Sequence, residues 1–265
     1  MNNTYITIYS HIDNNDLKAF FKSLKLTNNG YAGFSKKTYL KDYLLENIFG
    51  EDGKHKAVLN VDENNLKNLV ETTLNSVESS LTNNTGIEVH IFPTLSKFVA
   101  NEMGGVNGYT PYRGVIHLFI NPSEKSREAL ERNICNTTAH EYNHAVRLHY
   151  FPDQHTFISN LIFEGLAENF REAVFKNEPS RWSTALNKTE AQKIFKTLKP
   201  LLFSDEYTYE DYKQIFFGGD KYKTWTGYSV GYYLVKDYLT KKNSKDWNLI
   251  IQADAEEILT VSGWR

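Results

Sequence analysis

Residues 138–145 contain a histidine, a glutamate and a second histidine, as His140, Glu141 and His144. If this segment is helical, residues four apart lie one above the other, so both imidazoles can point at a single metal ion. Glu141 lies about 100° further round the helix and can reach a water on that metal without being a ligand. The spacing H-E-x-x-H therefore predicts a metal site with a carboxylate base beside it.

An acidic pair further along the chain strengthens this interpretation. With 8 histidines in 265 residues, roughly one or two sequences of this kind in a hundred contain H-E-x-x-H by chance. In such a chance match the segment would be a helix with two partly buried histidines, hydrogen-bonded to backbone or carboxylates. Glu164 and Glu168 lie one turn apart on the next predicted helix. Glu164 can supply the third protein ligand of a catalytic zinc, and Glu168 could accept the second ring N–H of a zinc-bound histidine.

The usual alternative for two glutamates at this spacing is a solvated acidic face. The neighbouring small residues Gly165 and Ala167 favour close packing instead. We expect them to let the glutamate helix approach the histidine helix.

Together these residues resemble the gluzincin zinc metallopeptidases of the thermolysin and aminopeptidase type. The combination of AHEYNHA, FEGLAE and a later GYSVGYY is also similar to a bacterial family of predicted zinc-dependent proteases. The resemblance implies Zn²⁺ as cofactor, with His140, His144 and Glu164 as its ligands, Glu141 as general base and Glu168 as a second-layer partner of a ligand. Glu168 stands where thermolysin-like enzymes have aspartate, and the glycine-rich exopeptidase motif of aminopeptidases is not evident. Endopeptidase and exopeptidase activity both stay open.

The resemblance also implies an oxyanion donor and a strand that binds substrate. In gluzincins a Tyr or His after the glutamate helix donates to the oxyanion, and Tyr228 is the first candidate here and Tyr232 the second. The alternative is that both tyrosines pack in the core. The strand before the metal helix is expected to form a sheet edge and to bind peptide by main-chain hydrogen bonds, through Val115, Ile116, His117 and Leu118. We expect His117 to be a structural or pocket histidine rather than a ligand.

These residues require a set of helices and strands to position them. Hydrophobic spacing predicts strands over 4–10, 87–93 and 114–121, and helices over 17–26, 39–45, 62–81, 121–148 and 156–175. Capping residues at 121–124 are expected to start the metal helix. Residues 104–108 are predicted to form a glycine-rich loop, either beside the site or as a plain connection. Beyond residue 181 the chain is predicted to be mainly helical, with a helix interrupted by Pro200 and an aromatic, loop-like stretch over 207–225.

The predicted fold class is α+β and zincin-like, in a single metallopeptidase chain of residues 1–265. A mixed part over residues 1–150 contains the edge strand and the metal helix. A mainly helical part over residues 151–265 supplies the third ligand and the tyrosine.

Composition restricts the partners. The net charge of −2 and a pI of about 6.5 give no basic excess, so nucleic acid is not an expected partner. A single cysteine, Cys135, excludes an internal disulfide and suits a reducing compartment. Signal-peptide features and a membrane-length apolar run are not seen, so we expect a cytoplasmic protein without a membrane span. The resemblance to metallopeptidases implies a peptide or protein as the substrate.

The predicted function is that of a zinc-dependent peptidase, a hydrolase that cleaves peptide bonds by Glu-assisted attack of a zinc-activated water. Two alternatives stay open: a non-catalytic, zinc-bound module that binds peptides, and a zinc hydrolase of a small non-peptide amide. The presence of Glu141 argues against the first, because a pure binder has no need of a general base.

Overall fold

The structure is a computed structural model that describes residues 4–24, 38–50, 56–121, 126–152, 156–204 and 207–265. The chain divides into two compact units. The first consists of Met1–Asn75 and Asn83–Glu141, and the second of Ser76–Thr82 and Tyr142–Arg265. Helices and a small mixed sheet make the chain α+β, which confirms the predicted fold class at this level.

The first unit contains a four-stranded sheet. Its strands, in spatial order, are β1 (Thr4–Ile8), β4 (Ile87–Pro93), β6 (Val115–Ile120) and β5 (Val106–Tyr112). β1, β4 and β6 are parallel, and β5 is antiparallel to β6. Every residue of β4 and β6 is buried, as expected of central strands covered on both faces.

The prediction that residues 114–121 form the edge of this sheet is wrong. β6 is hydrogen-bonded to β4 on one side and to β5 on the other. Its continuous apolar run is typical of a central strand rather than an edge. Because the main-chain groups of β6 are hydrogen-bonded to β4 and β5, a substrate peptide cannot pair with Val115, Ile116, His117 and Leu118.

The edge strand beside the metal helix is β5, which lies partly where a glycine-rich loop was predicted. Gly104 and Gly105 do form a turn, with φ of 69° and 85°. Gly108, by contrast, lies within the strand. Three glycines in five residues hid the start of the strand, because glycine is a turn residue far more often than a strand residue.

The first unit contains further elements besides this sheet. β2 (His11–Asp13) and β3 (Lys56–Val58) form a small antiparallel pair. The helices within this unit are α1 (Leu17–Leu24), α2 (Thr38–Phe49) and α4 (Lys97–Glu102). An apolar cluster, here called the sheet core, joins α1 and α2 to the sheet through Ile12, Phe20, Leu24, Leu44, Ile48, Phe49, Ala57, Phe92, Val115 and Phe119.

Two helices contain residues of both units, α3 (Glu63–Glu78) and α5 (Arg127–Tyr150). α5 is the predicted metal helix and ends two residues beyond the predicted position. The helix start predicted at 121–124 lies, from residue 122 on, outside the described residues.

The other helices belong to the second unit. They are α6 (Phe157–Phe175), α7 (Lys188–Leu202), α8 (Tyr209–Phe216), α9 (Thr226–Lys242), α10 (Trp247–Ile250) and α11 (Ala255–Ser262). Pro200 does not end α7, because a proline this near the end removes only a last-turn hydrogen bond. α8 replaces part of the predicted loop, and a capping box between Thr208 and Asp211 fixes its start. Among the helices described, none is both long and apolar enough to cross a membrane.

α6 and α9 pack backbone against backbone at two glycines. A Cβ on Gly165 would lie 2.2 Å from the carbonyl oxygen of Gly231, and a Cβ on Gly231 would lie 2.1 Å from that of Leu161. Gly165 therefore allows a close helix approach, as predicted, but the partner is α9 and not the histidine helix.

Candidate metal centre

Helix α5 brings together the three functional side chains of the H-E-x-x-H motif. His140, Glu141 and His144 each offer one ligand atom, and these atoms all lie within 4.8 Å of one another. Glu141 and His144 are buried, at 5% and 4% exposure. Within the described ranges, no other group of three or more His, Cys, Asp or Glu side chains meets this criterion.

Glu164, on helix α6, lies beside His144. Its Oε2 lies 3.6 Å from Nε2 of His144. This is longer than an ordinary N–H···O hydrogen bond. Two ligands about 2.0–2.2 Å from a tetrahedral metal lie roughly 3.3–3.6 Å apart, so this one distance is compatible with a shared ion. Glu164 is nevertheless not among the three side chains whose ligand atoms all lie within 4.8 Å of one another, and its role as third ligand stays a prediction.

Phe163, next to Glu164, stacks flat on the imidazole of His144. The ring centroids are 3.7 Å apart and the planes differ by 2°. Such a contact restricts rotation of the imidazole, as outer contacts of metal ligands commonly do. Sequence reasoning missed Phe163, although its position beside a predicted ligand was an available signal.

The carboxylate of Glu141 lies against the edge strand β5. The hydroxyl of Thr110 donates a hydrogen bond of 2.7 Å to Oε2 of Glu141, and Oγ1 also lies 3.1 Å from the carbonyl oxygen of Glu141. Gly108 leaves room for the side chain, since a Cβ there would lie 2.4 Å from Oε1. Sequence reasoning missed both contacts because it did not predict β5 as a strand.

Glu168 is the centre of a buried hydrogen-bond network. Its carboxylate accepts hydrogen bonds from Ser180 Oγ at 2.7 Å, Ser183 Oγ at 2.8 Å and Trp182 Nε1 at 2.8 Å. The guanidinium of Arg171, at 3.3 Å, supplies a balancing charge. Glu168 thus fastens the segment that follows α6, and its hydrogen bond to a zinc-bound histidine stays a prediction.

The two candidate tyrosines lie one turn apart on α9. The Tyr232 hydroxyl donates to Oε2 of Glu172 at 2.6 Å and accepts from Nζ of Lys236 at 2.7 Å. Burial, together with the hydrogen bond to Glu172, raises the pKa of Tyr232 well above its ordinary value. Glu172 lies two turns after Glu164 on α6, roughly 12 Å along the axis. These contacts argue against Tyr232 as the oxyanion donor. The ring of Tyr228 packs against Phe216, Phe217 and Trp225, and its role as oxyanion donor stays a prediction.

His117 lies in β6 among aromatic rings. Its ring contacts those of Phe92 and Phe119, at centroid distances of 5.4 and 6.2 Å. Burial lowers the pKa of His117 to about 3. These surroundings are those of a neutral, packed histidine.

The donor set fits zinc. Two imidazoles and one carboxylate, with a position left for water or substrate, form a common arrangement of catalytic zinc sites. Imidazole suits zinc better than magnesium or calcium, which prefer oxygen ligands. The fold and the site together define an α+β protein with a candidate zinc centre on helix α5.

Comparison with protein families agrees with this class. The chain belongs to the DUF2268 family, described as predicted Zn-dependent proteases, and the family model matches residues 66–260. This range includes α5, α6 and α9. A comparison with curated proteins gives no match.

Proposed function

We propose that the chain is a zincin-like, zinc-dependent peptidase in which His140, His144 and Glu164 bind Zn²⁺ and Glu141 is the general base. One observation carries the proposal: the side-chain atoms of His140, Glu141 and His144 that could bind a metal all lie within 4.8 Å of one another. Oε2 of Glu164 lies 3.6 Å from Nε2 of His144. Membership of a family described as predicted Zn-dependent proteases supports it.

The side chains divide the chemistry of amide hydrolysis among them. Zinc held in such a site polarises the scissile carbonyl and lowers the pKa of a water to about 7. Glu141 accepts a proton from the attacking water and passes it to the leaving amine. The hydroxyl of Tyr228 donates a hydrogen bond to the developing oxyanion. Glu168 holds a histidine ligand in its productive orientation.

The free edge of β5 binds the main chain of the substrate in this proposal. β5 is the last strand of the described sheet, and Gly108 and Thr110 contact Glu141. A peptide paired along β5 would therefore pass close to the base. Pro111 supports the assignment, because within sheets proline is largely confined to edges and bulges. Main-chain pairing gives affinity that depends little on sequence, so side-chain pockets set the preference.

The direct test of the catalytic role is Glu141→Gln, which keeps the shape of the side chain and removes the base. We expect this variant to keep its zinc and to lose roughly 10²–10⁴-fold in kcat, the usual contribution of a general base. His144→Ala serves as the control that loses zinc and turnover together. Turnover by Glu141→Gln at the wild-type rate would refute the role of Glu141.

A panel of substrates separates the alternatives. It consists of fluorescein-labelled casein, internally quenched peptides with blocked ends, aminoacyl p-nitroanilides and simple anilides. Cleavage of the blocked peptides indicates an endopeptidase, and cleavage of aminoacyl anilides alone indicates an exopeptidase. Hydrolysis restricted to simple anilides would support a small-amide hydrolase. Peptide binding without any cleavage would support a binding module.

A further inference from the structure

The edge strand β5 has an irregularity next to Glu141. Tyr109 pairs with His117 and Tyr112 pairs with Val115, so β5 has one more residue than β6 between these pairs. Tyr109 and Tyr112 both pack against the sheet core although they are three residues apart. Strict alternation would place them on opposite faces. The extra residue therefore lies between them, in a bulge that contains Thr110.

Two residues of this strand contact the side chain of Glu141. Thr110 is buried, and its hydroxyl donates a 2.7 Å hydrogen bond to the carboxylate. At Gly108, two residues earlier, a Cβ would lie 2.4 Å from Oε1 and 2.5 Å from Cγ of Glu141. The hydroxyl fixes one oxygen of the carboxylate, and the glycine provides the space in which the other lies.

We propose that Thr110 is a positioning residue for the base and that Gly108 has to be glycine to admit that base. The inference deepens the proposed function and rests on it for its catalytic meaning. Glutamate has three side-chain torsions, and ordering them costs conformational entropy. β5 orders them before substrate binds, so the carboxylate is already in place when a peptide pairs along the same strand. Bulges are frequent beside active sites, where they aim a side chain.

The kinetic test compares Thr110→Val with Thr110→Ser. Valine keeps the shape and removes the hydroxyl, and serine keeps the hydroxyl. On the quenched peptide that wild type cleaves fastest, we expect Thr110→Val to lower kcat about 10–100-fold, because small misplacements of a catalytic group have effects of this size. We expect KM and zinc content to stay within about threefold of wild type and Thr110→Ser to restore most of kcat. Thr73→Val is the matched control, since the buried Thr73 hydroxyl bonds the Leu69 carbonyl oxygen and Cys135 Sγ but not Glu141.

Three kinetic outcomes would overturn the proposal. The first is wild-type kcat in Thr110→Val. The second is loss of zinc in parallel with kcat. The third is an equal loss of kcat in Thr73→Val, which would reduce the role of Thr110 to stability.

A second measurement does not need turnover. We expect Gly108→Ala to lower the free energy of unfolding of the chelator-treated protein, because its new Cβ displaces the side chain of Glu141. In a Glu141→Ala background the same change should lower the free energy of unfolding only slightly, because the side chain that the new Cβ would displace is gone. Such non-additivity in a double-mutant cycle is the mark of residues in contact. Equal costs in both backgrounds would disprove the contact. If the wild type proves inactive on every substrate, the proposed function fails, whereas this cycle still decides whether β5 holds Glu141.

Discussion

Two glutamates one turn apart on α6 have different surroundings. The side chain of Glu168 is 1% exposed, and its oxygens accept several hydrogen bonds from the segment that follows α6. The side chain of Glu164 is 12% exposed, and its Oε2 lies beside His144. Glu168 is thus bonded to the segment that follows α6, whereas Glu164 is partly exposed beside an imidazole, where the proposed function has it bind the metal. The sequence shows two glutamates and cannot separate these surroundings.

At this scale we predict that Phe163 contributes to zinc affinity. Phe163→Leu removes the flat ring that restricts His144, so the imidazole must be ordered when the metal binds. Loss of an outer contact typically weakens metal binding 10–100-fold, and we expect about 10-fold here. Competition with a zinc chelator measures it. Phe175→Leu, on the same helix but three turns away, is the control. Equal zinc affinities in the two variants would contradict the role of the stacked ring.

His117 should make the protein sensitive to acid. Its pKa is about 3 in the folded chain, against about 6.5 when unfolded. Because the folded chain holds the imidazole of His117 neutral, protonation favours the unfolded chain. The free energy of unfolding is therefore retained above pH 6.5 and falls as the pH drops from 6.5 towards 3. Between pH 6.5 and 5 the loss from this group is about 2 kcal/mol.

Urea unfolding of the chelator-treated protein across this pH range measures the loss, since metal binding is itself dependent on pH. His117→Phe keeps an aromatic ring among its aromatic neighbours and removes the titration. We expect its stability to fall less steeply with acid than that of wild type. Parallel curves for the two proteins would show that His117 is not the group responsible.

At the scale of elements, the helix pair α6 and α9 positions Glu164. The glycines at their crossing, Gly165 and Gly231, allow the two backbones to touch. Gly165 directly follows Glu164, so the position of this proposed ligand along α6 depends on the contact. The close approach at this crossing thus bears on the position of Glu164 as well as on packing.

We predict that Gly231→Ala destabilises the protein. In a helix interior the change alone would stabilise by about 1 kcal/mol. Here the new Cβ meets the carbonyl oxygen of Leu161 at 2.1 Å, a backbone atom that cannot move without its helix. We expect a net loss of about 2 kcal/mol in urea unfolding, with weaker zinc binding. Gly219→Ala is the control, because its Cβ would meet only the flexible end of Gln214. Unchanged stability in Gly231→Ala would contradict the tight crossing.

The sequence predicts some elements well and others poorly for physical reasons. α6 was predicted to within two residues because its apolar residues recur at helical spacing. β5 was missed because Gly108 and Pro111 are unfavourable strand residues, tolerated here by the contact with Glu141 and by the position at an edge. The contact between Gly165 and Gly231 could not be predicted, since the position of a glycine in the sequence does not show which residue it will contact in the fold.

At the scale of the whole molecule, the family match and the fold have different extents. The match begins inside α3 and ends inside α11, so it excludes β1 to β3 and the first two helices. These elements nevertheless complete the first unit, because β1 pairs with β4 and α1 and α2 contribute to the sheet core. All candidate residues of the metal centre lie inside the match. The amino-terminal elements outside the match thus support the sheet from which β5 contacts Glu141.

In the proposed function one zinc ion is bound by His140, His144 and Glu164. Elemental analysis of the purified protein tests it most directly, on wild type, His144→Ala and Glu164→Ala, with Glu172→Ala as a control glutamate two turns further along α6. We expect about one zinc per chain in wild type and Glu172→Ala, and almost none in the other two. Wild type that takes up no zinc when incubated with it, or Glu164→Ala that keeps as much zinc as wild type, would contradict the claim.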